Sequence, residues 1–597
     1  MENQDTTEKQ DILPLEEGYI ILNGRPHYRK IQKDDVKDIP LSNFRAEIIE
    51  EIEKDDGIES QRFLSIKGER CENNEPFPTI VIPSSQFNSM RWVMEKWGAR
   101  AIIEAGKANY LRCAIQTFSK VIKFRRIYTH TGWREEYNGR RIFITANGAL
   151  GSNKDLQVEL EKGLERYFLP LQPENTKEAI EESLKFLEIA PLTITVPIWA
   201  SMYLAPLNPF LSQDFVLWLY GITGAKKSTL MALALSHYGN FTKDTLPANW
   251  ESTPNAIEKI SFVAKDIPFV IDDFAPQPNT GRAKDLDNTA ARIIRSVGNR
   301  SGRQRLKSNL KLQKNYAPRG LILATGEQLP SGRSVMARIL CVDINSENID
   351  VSKLTNAQNN QCVYPHAMAA YILWIANRWE NLKKELPYKW KEKRQEIQTV
   401  YQKFSEFHPR LPEIHASLYC AMDLALTFAE EEAKVSHERI EAIKEKCIKA
   451  LHQVIERQNI QIQDEKPTKY FFETLSELIC QNKLHLVRKN VAVSADHKGQ
   501  LLGWEDGEYI YLLPRMAYHT VFSCAKTEGR YFPVKRNTLY KMLIQEGILI
   551  PDGENSTTVI YQDLKAIRVM KIKYNALIKM EKIPDFPPEK KLEEVEA

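Results

Sequence analysis

The twenty residues from Val216 to Leu235, VLWLYGITGAKKSTLMALAL, constrain the fold more than any other stretch. The apolar run Val216–Tyr220 has the length and β-leaning composition of a buried strand. A turn holding Gly221 and Gly224 follows, then Lys226, Lys227, Ser228 and Thr229, then an Ala/Leu/Met-rich segment of high helix propensity. Strand, glycine turn, Lys-Ser/Thr and helix is the layout of a phosphate-binding P-loop, where backbone N–H groups and a helix N-terminus receive an anion. In that layout Lys227 reaches the β- and γ-phosphates of ATP and Ser228 holds Mg²⁺, with Gly221, Gly224, Lys226 and Thr229 completing the loop. The strict pattern G-x-x-x-x-G-K-[ST] is missed at one place: Lys226 stands where the second glycine belongs.

A chain of 597 residues is too long for one core and predicts roughly three or four domains. Its 43% hydrophobic and 27% charged residues suit an ordinary soluble protein, and a net charge of +4 leaves any nucleic-acid affinity to local patches. The cysteines are scattered with no C-x-x-C, which argues against zinc or a disulfide framework and predicts a reducing cytoplasm. The polar N-terminus has no apolar h-region, and no apolar run reaches the length of a membrane span.

The expected organisation is a tail over 1–17, an α+β accessory domain over 18–172, an ATPase domain with a helical lid over 173–462, a last domain over 463–583 and a tail over 584–597. In the accessory domain, Thr79–Pro83 and Arg141–Ala146 read as strands, and Ser85–Gly106 and Lys107–Lys120 as helices. Thr131-Gly132-Trp133 with Asn138-Gly139 predicts a Trp-bearing hairpin. Alternating helix-like and strand-like text over 255–345 is the α/β signature of a nucleotide-binding core. The charged stretch from Trp379 to Lys403 reads as a solvated helix face.

One β-α unit after the P-loop, KDIPFVIDDF delivers two adjacent carboxylates from a buried strand. Asp272 is placed to hold Mg²⁺ and Asp273 to orient or deprotonate the attacking water, with one methylene less reach than the usual Glu. From Asn288 to Gly326 there are nine Arg or Lys residues and no Asp or Glu. A one-sided cluster of this kind is either a solvated face or a binder of a polyanion such as a DNA backbone, and the absence of acids favours the polyanion. The strand Gly320–Gly326 ends in polar Thr325, at the position where a side chain senses the γ-phosphate in ATPases with an extra central strand. Arg333 and Arg338 both offer an arginine finger, worth about 10³–10⁵ in turnover on a neighbour's nucleotide. Arg410, heading an apolar helix, is either structural or a γ-phosphate contact from a lid.

Taken in order, GITGAKKST, WESTPNAIE, KDIPFVIDDF, GNRSGRQRL, PRGLILATGE, SVMARIL and PRLPEIHA resemble an AAA+ ATPase, and more closely the MCM-like replication helicases of staphylococcal chromosome cassettes and pathogenicity islands. The chain also resembles a wider group of mobile-element ATPases that share a domain without an assigned function. The likeness spans Asn175 to Ala433 well and is weaker in RWVMEKWG and HTGWREEYNGRRIF. The resemblance implies Walker A roles for Lys227 and Ser228, Walker B roles for Asp272 and Asp273, and sensor 1 at Thr325. It implies the arginine finger at Arg338, sensor 2 at Arg410, and a pore-lining hairpin around Arg303, Arg305, Lys307 and Lys311.

In the last domain, helices over Pro514–Cys524 and Lys535–Glu546 followed by β-rich runs Thr557–Tyr561 and Ile567–Ile572 suggest a winged helix. Lys535, Arg536 and Lys541 are then free for DNA, although such modules also make protein contacts. The expected function is a homo-hexameric, ATP- and Mg²⁺-dependent DNA helicase that initiates replication of a mobile element, with 3′-to-5′ polarity implied by the resemblance. The alternatives are an origin-binding initiator or loader without unwinding activity, and a DNA-binding regulator that does not hydrolyse nucleotide.

Overall fold

The computed structural model describes residues 16–32, 35–136, 139–301, 316–401, 407–490, 499–527, 532–562 and 565–574. At its centre five parallel strands lie in the order Ala248–Asn249, Pro268–Phe274, Leu321–Gly326, Val216–Tyr220, Ile339–Asp343. Parallel strands are covered on both faces, which is why their sequences run apolar without alternation. Val216 to Leu219, Phe269 to Ile271 and Leu321 to Ala324 are all fully buried. Helix Leu192–Leu204 is buried over nearly its whole length and packs on Leu411–Ala433 and His437–Asp464. The last of these is tied to the sheet edge by buried Gln458, which accepts from the Cys341 N–H at 2.8 Å and donates to the Met336 carbonyl at 2.9 Å.

The N-terminal region carries its own five-stranded sheet, Gln157–Val158, Lys123–Tyr128, Phe44–Asp55, Ser60–Arg70, Pro76–Pro83. A small core of Leu41, Phe44, Phe77, Trp92, Trp97 and Leu111 lies against it. The helix expected over Ser85–Gly106 is broken into Ser84–Phe87, Trp92–Trp97 and a 3₁₀ turn at Gly98–Arg100. Met90 and Gly98 adopt left-handed backbone, which ends each turn and lets Trp92 and Trp97 both face the core. The expected Trp-bearing hairpin is present as Gly132–Glu135 paired with Arg141–Thr145.

That hairpin belongs to the central core. Trp133, Phe143, Leu150, Leu164, Tyr167 and Leu169 share one apolar cluster with the P-loop strand. The start of its first strand seats on the chain just before the Asp272 strand. The Thr131 hydroxyl donates to the Lys265 carbonyl at 2.9 Å, and the Trp133 N–H donates to Asp266 Oδ2 at 3.0 Å. Asp266 is 1% exposed, and its other oxygen accepts from Asn208 Nδ2 at 2.9 Å. Arg319, just before the Thr325 strand, donates to the Asp56 carbonyl at 2.8 Å and lies 3.8 Å from the Phe262 ring centroid.

From Pro467 the chain forms a second α/β unit: helix Pro467–Cys480, three strands, helices Pro514–Thr527 and Arg536–Gln545, then strands Leu549–Ile550, Thr558–Gln562 and Lys565–Lys573. Its core holds Phe471, Leu512, Val521, Leu539, Leu543 and Ile572. Among the described residues, no helix is long and apolar enough to cross a membrane.

Three buried imidazoles make the fold acid-sensitive. Burial holds His130 at about 3, His237 at about 4 and His415 at about 3, so each stays neutral in the native state. The unfolded chain protonates these groups below about 6.5, so their effect on stability is absent above that pH and grows more destabilising as pH drops toward 4. At pH 5 each imidazole is expected to cost about 2 kcal/mol relative to pH 7. The thermal midpoint measured from pH 7 to 5 should fall steeply, and less so for His237→Gln.

Candidate nucleotide site

The P-loop leaves the C-terminal edge of the sheet at Gly221. A Cβ there would lie 2.0 Å from the Ile344 carbonyl oxygen, so only glycine lets the loop start this close to the neighbouring strand. Lys226 has φ 60° and ψ 25° at the N-cap of helix Lys227–Leu235. The residue that departs from the strict pattern thus adopts the left-handed backbone for which glycine is usually chosen. An L-residue pays about 1–2 kcal/mol for that conformation, and the helix is preserved. Lys226→Gly is therefore expected to raise the thermal midpoint by a few degrees, and Lys226→Val, β-branched, to lower it, as differential scanning fluorimetry would show.

Lys227 Nζ donates to the carbonyls of Gly221 at 2.8 Å and Ile222 at 2.9 Å, folding back over the loop. Burial lowers its pKa, opposed by Glu327, Asp272 and Asp273. Ser228 Oγ donates to Asp272 Oδ1 at 2.9 Å, and Thr325 Oγ1 donates to the same oxygen. Thr325, 1% exposed, also accepts the Asp273 N–H at 3.1 Å. One threonine hydroxyl thereby joins the central strand to both carboxylate residues.

Adjacent residues on a regular strand face opposite ways, yet both aspartates stand at the loop edge. The cause is a register shift between Ile271 and Phe274 against the Thr325 strand, with Asp273 at φ 65°. A bulge of this kind re-aims side chains. Asp273 has its pKa raised by burial and by Asp272, Glu327 and Glu251, with Lys227 opposing. Below the site, Trp218 stacks on Trp250 at 5.4 Å and meets Phe274 edge-on at 5.1 Å, making the floor rigid.

Hydroxyl and carboxylate oxygens are hard donors, and Mg²⁺ binds through one or two carboxylates plus substrate phosphates. Ser228 and Asp272 fit that donor set at their observed separation.

The structure brings Lys227, Ser228, Asp272, Asp273 and Thr325 together and sets Arg338 and Arg410 apart. Arg338 precedes Ile339, which pairs with Val216 at the opposite end of the strand from Tyr220. Five residues of strand place it about 17 Å from the loop edge, beyond an arginine's reach. There Arg338 donates to the Ser334 carbonyl at 2.6 Å and Asn299 Oδ1 at 3.1 Å, while Arg410 donates to the Gly298 carbonyl at 3.3 Å. Burial, Arg410 and Arg295 lower the Arg338 pKa, and burial with Arg333, Arg410 and Arg338 pushes His408 down to about 4. These residues form a cationic group on the far edge.

Arg303, Arg305, Lys307 and Lys311 lie outside the described residues. Lys535 and Lys541 are exposed and Arg536 half-exposed at and along the helix Arg536–Gln545. Sequence reasoning missed two carboxylates beside the loop, Glu251 and Glu327. Glu327 accepts from Thr223 Oγ1 at 2.6 Å. Its signal was present in PRGLILATGE, one residue beyond the Thr-Gly that ends the strand.

A family model described as a domain of unknown function (DUF927) matches residues 72–315. No curated protein matches the chain. Among solved structures, one titled "SCCmec type IV Cch - active helicase" is 13% identical with a TM-score of 0.56, over 95% of this chain and 99% of that one. The apo C-terminal region of NrS-1 is 10% identical with a TM-score of 0.29, over 89% of this chain and 96% of that one. The first likeness extends the shared fold over almost the whole length of both chains.

Proposed function

We propose that this protein is an ATP-driven DNA helicase of the MCM-like AAA+ class, acting as a homo-hexamer in the replication of a mobile element. What supports the reading is the placement of two groups of residues at opposite ends of the central strands. Lys227, Ser228, Asp272, Asp273 and Thr325 stand at one edge, and the cations Arg338 and Arg410, hydrogen-bonded to neutral groups, stand at the other. A closed ring brings the second edge of one subunit against the first edge of the next.

In such a ring Lys227 binds the β- and γ-phosphates, Ser228 and Asp272 hold Mg²⁺, and Asp273 orients the attacking water. Mg²⁺, when bound, neutralises charge on the phosphates. Thr325 keeps Asp272 and the Asp273 backbone in register, and the neighbour's Arg338 and Arg410 stabilise charge leaving the γ-phosphate. The basic stretch Arg303–Lys311 tracks one DNA strand in the channel, and the C-terminal unit acts as a winged helix whose Lys535, Arg536 and Lys541 contact duplex.

The test is ATP hydrolysis with and without DNA, beside unwinding of a forked duplex by the purified protein. DNA-stimulated hydrolysis with strand separation supports the helicase. Stimulated hydrolysis alone points to the initiator or loader, and no hydrolysis to the regulator. Arg303→Ala with Lys307→Ala is expected to weaken single-strand binding and reduce its salt slope by roughly one to two.

A further inference from the structure

Glu327 has a place in the site and no role in the chemistry described above. Its backbone is fixed from three directions. A Cβ on Gly326 would sit 2.9 Å from the Phe274 carbonyl oxygen and 3.0 Å from that of Gln328. The Glu327 N–H donates to the Phe274 carbonyl at 2.9 Å, and the Gly221 N–H donates to the Gly326 carbonyl at 3.2 Å. The peptide is thus held between the end of the Asp272 strand and the first residue of the P-loop, which leaves the side chain as the part free to move.

That side chain accepts a hydrogen bond from the Thr223 hydroxyl at 2.6 Å. Thr223 is the next residue after Ile222, whose carbonyl with that of Gly221 holds Lys227 Nζ. The same ammonium is the group that reaches β- and γ-phosphates in a loop of this layout. The carboxylate is therefore tied to the same short loop that holds the phosphate-binding ammonium, on which Asp272, Asp273 and Glu327 all act electrostatically. A terminal phosphate brought against it is a like-charge contact in partly desolvated surroundings. A diphosphate ends one group short of it.

Building on the reading of this loop as an ATP site, we propose that Glu327 is a positioning residue that reads the terminal phosphate: its carboxylate holds Thr223 across the loop, and a γ-phosphate displaces it. The freed Thr223 hydroxyl then donates to the phosphate.

The experiment titrates the full-length protein with fluorescent ADP and with a non-hydrolysable fluorescent ATP analogue, both with Mg²⁺, using wild type, Glu327→Gln, Glu327→Asp and Lys227→Ala. Glu327→Gln keeps an acceptor for Thr223 and removes the charge. It is expected to tighten the ATP analogue about tenfold and leave ADP within about twofold. Glu327→Asp, which keeps the charge, should hold the wild-type ratio. Equal changes for both nucleotides, or none, with binding that still requires Lys227, overturn the proposal alone. Wild-type binding that is absent or indifferent to Lys227→Ala overturns both the loop reading and this proposal.

Discussion

Asp272→Ala is expected to abolish strand separation and to lower ATP hydrolysis by at least about 10²–10³-fold, and Lys227→Ala to do the same. The two fail for different reasons. Asp272 Oδ1 is the common acceptor of Ser228 and Thr325, so its removal deprives both hydroxyls of a partner and takes away the charge assigned to Mg²⁺. Among the described residues Lys227 Nζ hydrogen-bonds to the Gly221 and Ile222 carbonyls, so alanine is expected to leave the fold intact and to empty the phosphate cradle of its cation. Asp272→Asn separates the roles: it keeps acceptors for Ser228 and Thr325 and should preserve the thermal midpoint while losing turnover. Phosphate release and forked-duplex unwinding, measured beside thermal melts, check all three. Unwinding at the wild-type rate in both alanine variants would falsify the helicase reading.

Arg338→Ala is expected to cost about 10³–10⁵ in turnover while leaving ATP affinity nearly unchanged. Arg338 sits level with the start of the strands and the P-loop with their end, so the two cannot meet within one subunit. It follows that inactive Arg338→Ala subunits mixed with inactive Lys227→Ala subunits should regain activity. In the proposed ring, some interfaces of the mixture would join an intact loop to an intact arginine. Hydrolysis in the mixture that never exceeds either parent would remove Arg338 from the active site. Arg410→Ala, which shares the Gly298 corner, is expected to behave as Arg338→Ala does.

The sequence made the P-loop, its flanking strand and helix, and the neighbouring parallel strands legible, because buried parallel strands are written as uninterrupted apolar runs. Asp272 and Asp273 could be read as a pair, but the bulge that turns both toward one edge depends on pairing with a strand some fifty residues away and leaves no local mark. Lys226 looked like a defect because the pattern records residue type and not backbone angle. The broken helix after Ser84 has the same origin. Helical text in that region continues through Met90, where tertiary packing of two tryptophans overrides propensity. The seating of Thr131–Trp133 on Asp266 joins residues more than a hundred positions apart, and no periodicity encodes it.

That seating gives the protein a short mechanical linkage. Thr131 and Trp133 grip the chain just before strand Pro268–Phe274, whose other end carries Asp272 and Asp273, and Arg319, just before the Thr325 strand, holds the Asp56 carbonyl. Strands buried in a sheet are stiff along their length, so they act here as pushrods about 20 Å long. A force applied at Trp133 or at Arg319 therefore has little compliant material to cross before it arrives at Asp272, Asp273 and Thr325.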